Sequence, residues 1–216
     1  MSVLTIMNSV RPGDFWLHGA PTAHLNTTFL LNCAAHWAGS GVWHVAVISS
    51  ELSAAVLQRK MPADYDDTRV VFYEPDEWEH LLQDPGGSLL SWNMLIVDRF
   101  HGFPGRMSMN YWDEVQRTLR DMHEKLLSRP DRDIALMASY QAHRESLQEA
   151  HERDRRLTHE ASIATFGIWA PPTLTLQSIK FREKRDLFRQ SLFAAPERGW
   201  IDLAGNHLSS SPASAI

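Results

Sequence analysis

The stretch "DFWLHGAPTAHLNTTFLLNCAAHWA", Asp14 to Ala38, decides how the rest of the chain is read. It has the form of an apolar strand, a turn containing glycine and proline, and a helix that starts near Thr27. A loop that holds phosphate needs such a strand, glycines that let backbone N–H groups approach, a lysine for charge and a hydroxyl for magnesium. Counting forward from Gly19 on the template G-x-x-x-x-G-K-[ST] puts Leu25 at the lysine and Asn26 at the hydroxyl. Counting back from "TTFLLN" puts Leu25 at the second glycine, Asn26 at the lysine and Thr27 at the hydroxyl. The backward count is preferred, because it keeps the apolar face of the helix in phase and leaves the irregularity in a loop one residue longer than usual. In both counts the lysine is missing, and a residue with a Cβ stands where glycine avoids a strain of about 1 kcal/mol. The lost charge matters more, since a charge-assisted hydrogen bond contributes roughly 1.5–3 kcal/mol and Asn26 offers a neutral one.

The 216 residues suffice for one domain with a substantial core, and 44% hydrophobic with 22% charged residues is a globular composition. A formal net charge of −5 argues against a surface coated in basic groups, so any nucleic-acid contact is regional. The single cysteine, Cys33, excludes an internal disulfide and reads as a packed thiol in a helix. The start of the chain lacks the features of a secretory signal, and no stretch approaches the roughly 18 apolar residues of a membrane span. A cytoplasmic protein with no membrane contact is expected. Among the eleven histidines, His18 and His24 flank the loop, and His143 and His151 lie eight apart. None has zinc-ligand spacing, so no metal other than magnesium is expected.

Short apolar runs alternate with amphipathic segments, the pattern of an α/β fold with a mainly parallel central sheet flanked by helices. Strands are predicted at Phe15–His18, Val42–Ser49, Arg69–Tyr73, Met94–Asp98, Ile134–Ser139, Thr165–Trp169, Leu174–Lys180 and Trp200–Leu203. Helices are predicted at Thr27–Trp37, Ser53–Lys60, Asp76–Gln83, Tyr111–Leu127 and Ala142–Arg156. In the fourth helix Trp112, Val115, Leu119, Met122 and Leu126 recur at spacings of three and four and form a buried stripe. After Pro171-Pro172 the pattern changes to paired strands, so the α/β core is expected to finish in β-hairpins.

"VAVISSELSAAVLQRKM", Val45 to Met61, resembles the second strand and following helix of the RecA-like motor domain of DnaB-type hexameric replicative helicases, a P-loop fold. Four further elements follow that family's order. "RPGDFWLHGAP" is similar to the entry to its phosphate loop, and "NMLIVDRF" to its magnesium-orienting strand. "IALMASYQAHRE" is similar to its next core strand, and "LQSIKFREKRD" to a late strand that carries Lys-x-Arg. The resemblance covers Arg11 to Arg185 and implies roles for individual residues. Glu51 matches the catalytic glutamate that activates water, Asp98 the carboxylate on the metal side, and Gln141 the polar sensor. Gly19, Asn26, Thr27 and Thr28 match the nucleotide-binding loop, with Thr27 and Asp98 as the magnesium pair if nucleotide binds. Lys180 and Arg182 match fingers that act in trans on a neighbouring subunit's site. The loops after Asp98 and Gln141 match those lining a channel for single-stranded DNA, which marks Arg106, Arg144, Arg155 and Arg156 as weak DNA-binding candidates.

The expected organisation is a short leader at residues 1–10, a RecA-like domain at 11–207 and a disordered tail at 208–216. The family's N-terminal collar domain has no counterpart before Arg11, so a complete replicative helicase is not expected. ATP and Mg2+ are the implied cofactors, made doubtful by the missing lysine. The implied partners are like or unlike RecA-type subunits in a ring or filament, single-stranded DNA and a replicative helicase. Three readings stay open: a subunit with an impaired site that completes a partner's site, an active ATPase with an unorthodox loop, and a non-catalytic interaction module.

Overall fold

The apolar runs spaced along the sequence become one nine-stranded sheet in the computed structural model, which describes residues 2–21, 23, 25–83, 92–100, 117–118, 120–127, 133–142, 161–181 and 188–205. The strands are β1 (Phe15–Pro21), β2 (Val45–Ser49), β3 (Val70–Tyr73), β4 (Met94–Asp98), β5 (Ala135–Ala142), β6 (Ile163–Ala170), β7 (Thr173–Phe181), β8 (Arg189–Ala195) and β9 (Trp200–Ile201). Their order across the sheet is β3-β2-β4-β5-β1-β6-β7-β8-β9. The pairs from β3 to β6 are parallel. Those from β6 to β9 are antiparallel. The expected parallel core with terminal hairpins is therefore the observed architecture.

Every residue of β1, β2 and β4 is buried, as strands covered on both faces must be. Alternate side chains divide between two cores. Trp16 joins Phe29 and Trp37 beneath helix α2 (Asn26–Gly39), together with Val45 and Val47. Phe15 and Leu17 join Ile48, Trp78 and Phe166 on the opposite face.

Several boundaries differ from the sequence reading, each for a physical reason. β1 and β5 run past His18 and Ser139 because they pair in register from Phe15↔Leu136 to Pro21↔Ala142. Ala142, expected to open a helix, thus closes a strand, and the rest of that predicted helix, 143–156, lies outside the described residues. Val42 to His44 precede β2 rather than join it, and the last strand stops at Ile201. β8 was not expected, and it pairs with β7 through the alternation of "RQSLFAA". The fourth predicted helix is described only from 117 onward, ending in a π-helical turn at His123–Leu127. Of its expected stripe, Met122 is buried, while Trp112, Val115 and Leu119 lie outside the described residues.

The segment expected as a leader contributes to the core. Val3–Met7 forms helix α1, capped by the Ser2 hydroxyl, which accepts from Thr5 N, and it buries Val3, Ile6 and Met7. Its first amide, Val3 N, donates to Gln190 Oε1 at 2.7 Å, tying residues 187 positions apart. A second tie joins α2 to the end of the sheet. Asn32 Nδ2 donates to Thr28 O and Gly199 O, both at 2.8 Å, while its Oδ1 accepts from Ile201 N at 3.0 Å. Gly199 has φ 62°, and an added Cβ there would lie 2.7 Å from Lys60 O, so this turn requires glycine on two counts. Two further short helices are α3 (Ala54–Arg59) and α4 (Trp78–Gln83). The predicted tail at 208–216 lies outside the described residues.

Candidate nucleotide site

The carboxyl ends of β1, β2, β4 and β5 converge on the amino end of α2, the edge at which open α/β sheets bind ligands. Asp98 closes β4 at 2% exposure and is held by hydroxyls from three other elements. Its Oδ2 accepts from Thr27 Oγ1 of α2 at 2.9 Å and from Ser49 Oγ of β2 at 3.0 Å. Its Oδ1 accepts from Ser139 Oγ of β5 at 2.9 Å. Burial pushes the Asp98 carboxyl up from its ordinary value, against the opposing pull of these hydroxyls and of Arg99.

That direction makes a pH prediction. A carboxyl whose folded value is raised contributes its full stability below the unfolded value, about 3.9, and loses it as pH rises through the folded value. Asp98→Asn has no charge to bury, so it should gain stability relative to the native protein as pH is raised from 4 to 8. Urea denaturation at both pH values measures the difference, and an advantage that shrinks toward pH 8 would contradict the sign.

Among the described residues of the loop between β1 and α2, Ala23 at φ 61° and Leu25 at φ 62° lie in the left-handed region. Leu25 occupies the N-cap of α2 without a side-chain hydrogen bond, and the first turn carries no acidic residue. Asn26, 8% exposed, turns its Nδ2 back to Ala20 O and Tyr140 O, each at 3.3 Å. Among the described residues its Oδ1 has no partner. Thr27 and Thr28 are half-buried.

Gly19 lies inside β1 opposite Tyr140 of β5. A Cβ on Gly19 would come within 2.5 Å of Tyr140 Cζ, so the close approach of this buried ring itself requires glycine.

Glu51 follows β2 and forms an ion pair with Arg99, the residue after Asp98. Arg99 has φ 52°, and its backbone is pinned at both ends. Its N–H donates to Ser139 Oγ at 2.9 Å, and its carbonyl accepts from Ser50 Oγ at 2.7 Å. Gln141 sits on β5 opposite Ala20, next to the loop. The structure thus brings Asn26, Thr27, Glu51, Asp98 and Gln141 to one edge of the sheet. Lys180 is on β7, opposite Ala164 of β6 and two strands from β1. Arg106, Arg144, Arg155, Arg156 and Arg182 lie outside the described residues.

Sequence reasoning missed Ser49 and Ser139 as the groups that hold Asp98, and it missed Arg99 as the partner of Glu51. His18, which flanks the loop in sequence, is a core residue. Its Nδ1 pairs with Thr165 Oγ1 at 2.9 Å, its ring packs on Phe29, and burial lowers its pKa to about 3. Among the described residues no group of three or more His, Cys, Asp or Glu could hold a metal ion. Magnesium in nucleotide sites uses one or two protein ligands and completes its shell with water and phosphate oxygens. The adjoining Thr27 hydroxyl and Asp98 carboxylate fit that need. On the phosphate side the helix amino end fits an anion, whereas Asn26 supplies no charge.

No protein-family model matches the sequence, and no curated protein matches it. Solved structures do. The chain is similar to an ATPase domain at 13% identity and TM-score 0.67, covering 89% of this chain and 85% of that one. It is similar to a DnaB-like replicative helicase, solved for its interactions with primase, at 12% identity and TM-score 0.67. There it covers 88% of this chain and 57% of that one, so it spans little more than half of the solved helicase. The RadB recombinase is similar at 15% identity and TM-score 0.63, over 93% of this chain and 95% of that one. The chain has an α/β fold of the RecA-like class. Its parallel sheet is extended by antiparallel strands at one end. Among the described residues no helix is long and apolar enough to cross a membrane.

Proposed function

We propose that this chain is a RecA-fold protein of DNA replication or recombination, impaired on the phosphate side of its own ATP site and acting by assembly with RecA-type subunits. The observation that carries this reading is the Thr27–Asp98 hydrogen bond beside a carboxamide folded onto carbonyls at position 26. The first is the pairing required by the backward count of the loop, and the second leaves that count's lysine position neutral. In this reading Thr27 and Asp98 hold magnesium, while Gly19, Thr28 and the amino end of α2 border the phosphates. Glu51 orients and deprotonates water, and Gln141 senses the terminal phosphate. Bound ATP supplies the phosphoryl group.

Lys180 and Arg182 serve a neighbour's site, where the planar guanidinium suits charge spread over phosphoryl oxygens. Arg106, Arg144, Arg155 and Arg156 contact single-stranded DNA, and a replicative helicase is the partner whose site would be completed.

Asn26→Lys tests the impairment. Thermal stability titrated with ATP and Mg2+ reports binding, because a ligand that binds only the folded state raises the melting temperature. The substitution should tighten ATP binding by about tenfold or more, the equivalent of one charge-assisted hydrogen bond. An Asn26→Lys protein that binds ATP no more tightly than the native chain would sink the reading. The gathering of Thr27, Asp98 and Glu51 at one edge also favours a second reading, a working ATPase with an unorthodox loop. Phosphate release by the assembled native protein, lost in Glu51→Gln, would select it.

A further inference from the structure

We infer that Arg99 supplies the positive charge that position 26 lacks, binding the terminal phosphate of a magnesium polyphosphate in exchange for its ion pair with Glu51. The inference rests on the nucleotide reading of the site and names the group that would make such binding feasible.

Arg99 follows Asp98 directly, so its position is set by the strand that presents the metal-side carboxylate. Its backbone adopts a left-handed conformation that costs a non-glycine residue strain, and such strain persists only where the surroundings impose it. Here they do. The N–H is held by Ser139 Oγ, which also donates to Asp98 Oδ1, and the carbonyl is held by Ser50 Oγ. Two strand ends are thereby committed to aiming this one residue. An arginine kept only for solubility would need none of these bonds.

The guanidinium is placed for an anion. Its side chain is 23% exposed, so its charge is less screened than that of a surface arginine, yet ligand can still reach it. Arg99 directly follows Asp98, whose Oδ2 accepts from Thr27 Oγ1 at 2.9 Å at the amino end of α2. Magnesium, if held by Thr27 and Asp98, would draw a polyphosphate to the strand end that is followed by Arg99. Arginine cannot surrender its proton, and its planar fork matches phosphate oxygens in pairs. The partner it holds at present is the exchangeable one, since Glu51 is 50% exposed and recovers solvation when released. The exchange would free the Glu51 carboxylate as the phosphate arrives, coupling ligand capture to release of the group assigned to activate water.

The full chain should be titrated with Mg–ATP and with magnesium plus inorganic tripolyphosphate, following both heat of binding and melting temperature. The variants are Arg99→Gln, Glu51→Gln and Asn26→Lys. Arg99→Gln should weaken both ligands by about tenfold or more, the loss of a charge-assisted contact. Glu51→Gln should tighten both, because no competing carboxylate holds the guanidinium. Should Arg99→Gln not fold, Arg99→Gly suits a φ of 52° and removes the same charge.

Native-like binding by Arg99→Gln or Arg99→Gly overturns the inference. So does weaker binding by Glu51→Gln, or the absence of any binding by the native chain at millimolar ligand. Asn26→Lys separates this failure from failure of the wider reading. If Asn26→Lys binds tightly while Arg99→Gln binds as the native chain does, the site is a nucleotide site and Arg99 is not its cation. If Asn26→Lys gains nothing while Arg99→Gln loses affinity, Arg99 is the cation and position 26 is not the lysine position.

Discussion

Gly19→Ala is expected to destabilise the protein by about 2–3 kcal/mol, the cost of forcing an extra carbon into a packed core. The new Cβ would sit 2.5 Å from Cζ, 2.6 Å from the hydroxyl oxygen and 2.7 Å from Cε1 of Tyr140. Such a ring could swing aside if it were exposed, but this one is 3% exposed and packed in the core cluster that contains Phe15, Leu17 and Phe166. Urea denaturation would read the loss, and a double-mutant cycle would assign it. In a Tyr140→Leu background the obstructing ring is gone, so Gly19→Ala should cost under about 1 kcal/mol there. A penalty that persists unchanged in that background would mean that the backbone, not Tyr140, demands glycine.

The second large effect falls at Asn32→Leu, for which a loss of about 3 kcal/mol is expected. The side chain is 4% exposed and bridges Thr28 O, Gly199 O and Ile201 N, so it joins the α2 backbone to the last strand. Leucine fills a similar volume but leaves the Gly199 carbonyl and the Ile201 amide without their buried partner. Each such orphan costs about 1–3 kcal/mol. The loss should be accompanied by faster amide exchange at Ile201 than in the native chain. If stability changes by less than about 1 kcal/mol, β9 does not depend on this bridge.

The parallel core was legible because its inner strands β1, β2 and β4 are short, apolar and buried on both faces. "MLIVD" shows this best, with its bounds read to the residue as Met94–Asp98. Five-residue α1 escaped notice because so short a helix carries too little periodicity, and its first amide is held by distant Gln190. β8 escaped because "RQSLFAA" is polar at its start and becomes a strand by pairing with β7.

The site divides in the same way. Thr27, Glu51, Asp98 and Gln141 each stand at an element end with a recognisable local signature. Ser49, Ser139 and Arg99 have roles defined by neighbours 40 to 49 residues away, and nothing local announces them. Gly19 carries a further lesson, since its loop position suggested a ligand while its nearest constraint is an aromatic ring.

The bond from Val3 N to Gln190 Oε1 has a consequence for the order of synthesis. A ribosome adding about 5–20 residues per second needs about 10–40 s to pass from the first of these positions to the second. Through that interval Val3, Ile6 and Met7, all buried in the finished fold, have emerged without the strand that holds their helix in place. Until β8 has been made, the apolar face of α1 lacks the side chain that accepts from its first amide, so this corner of the core closes late.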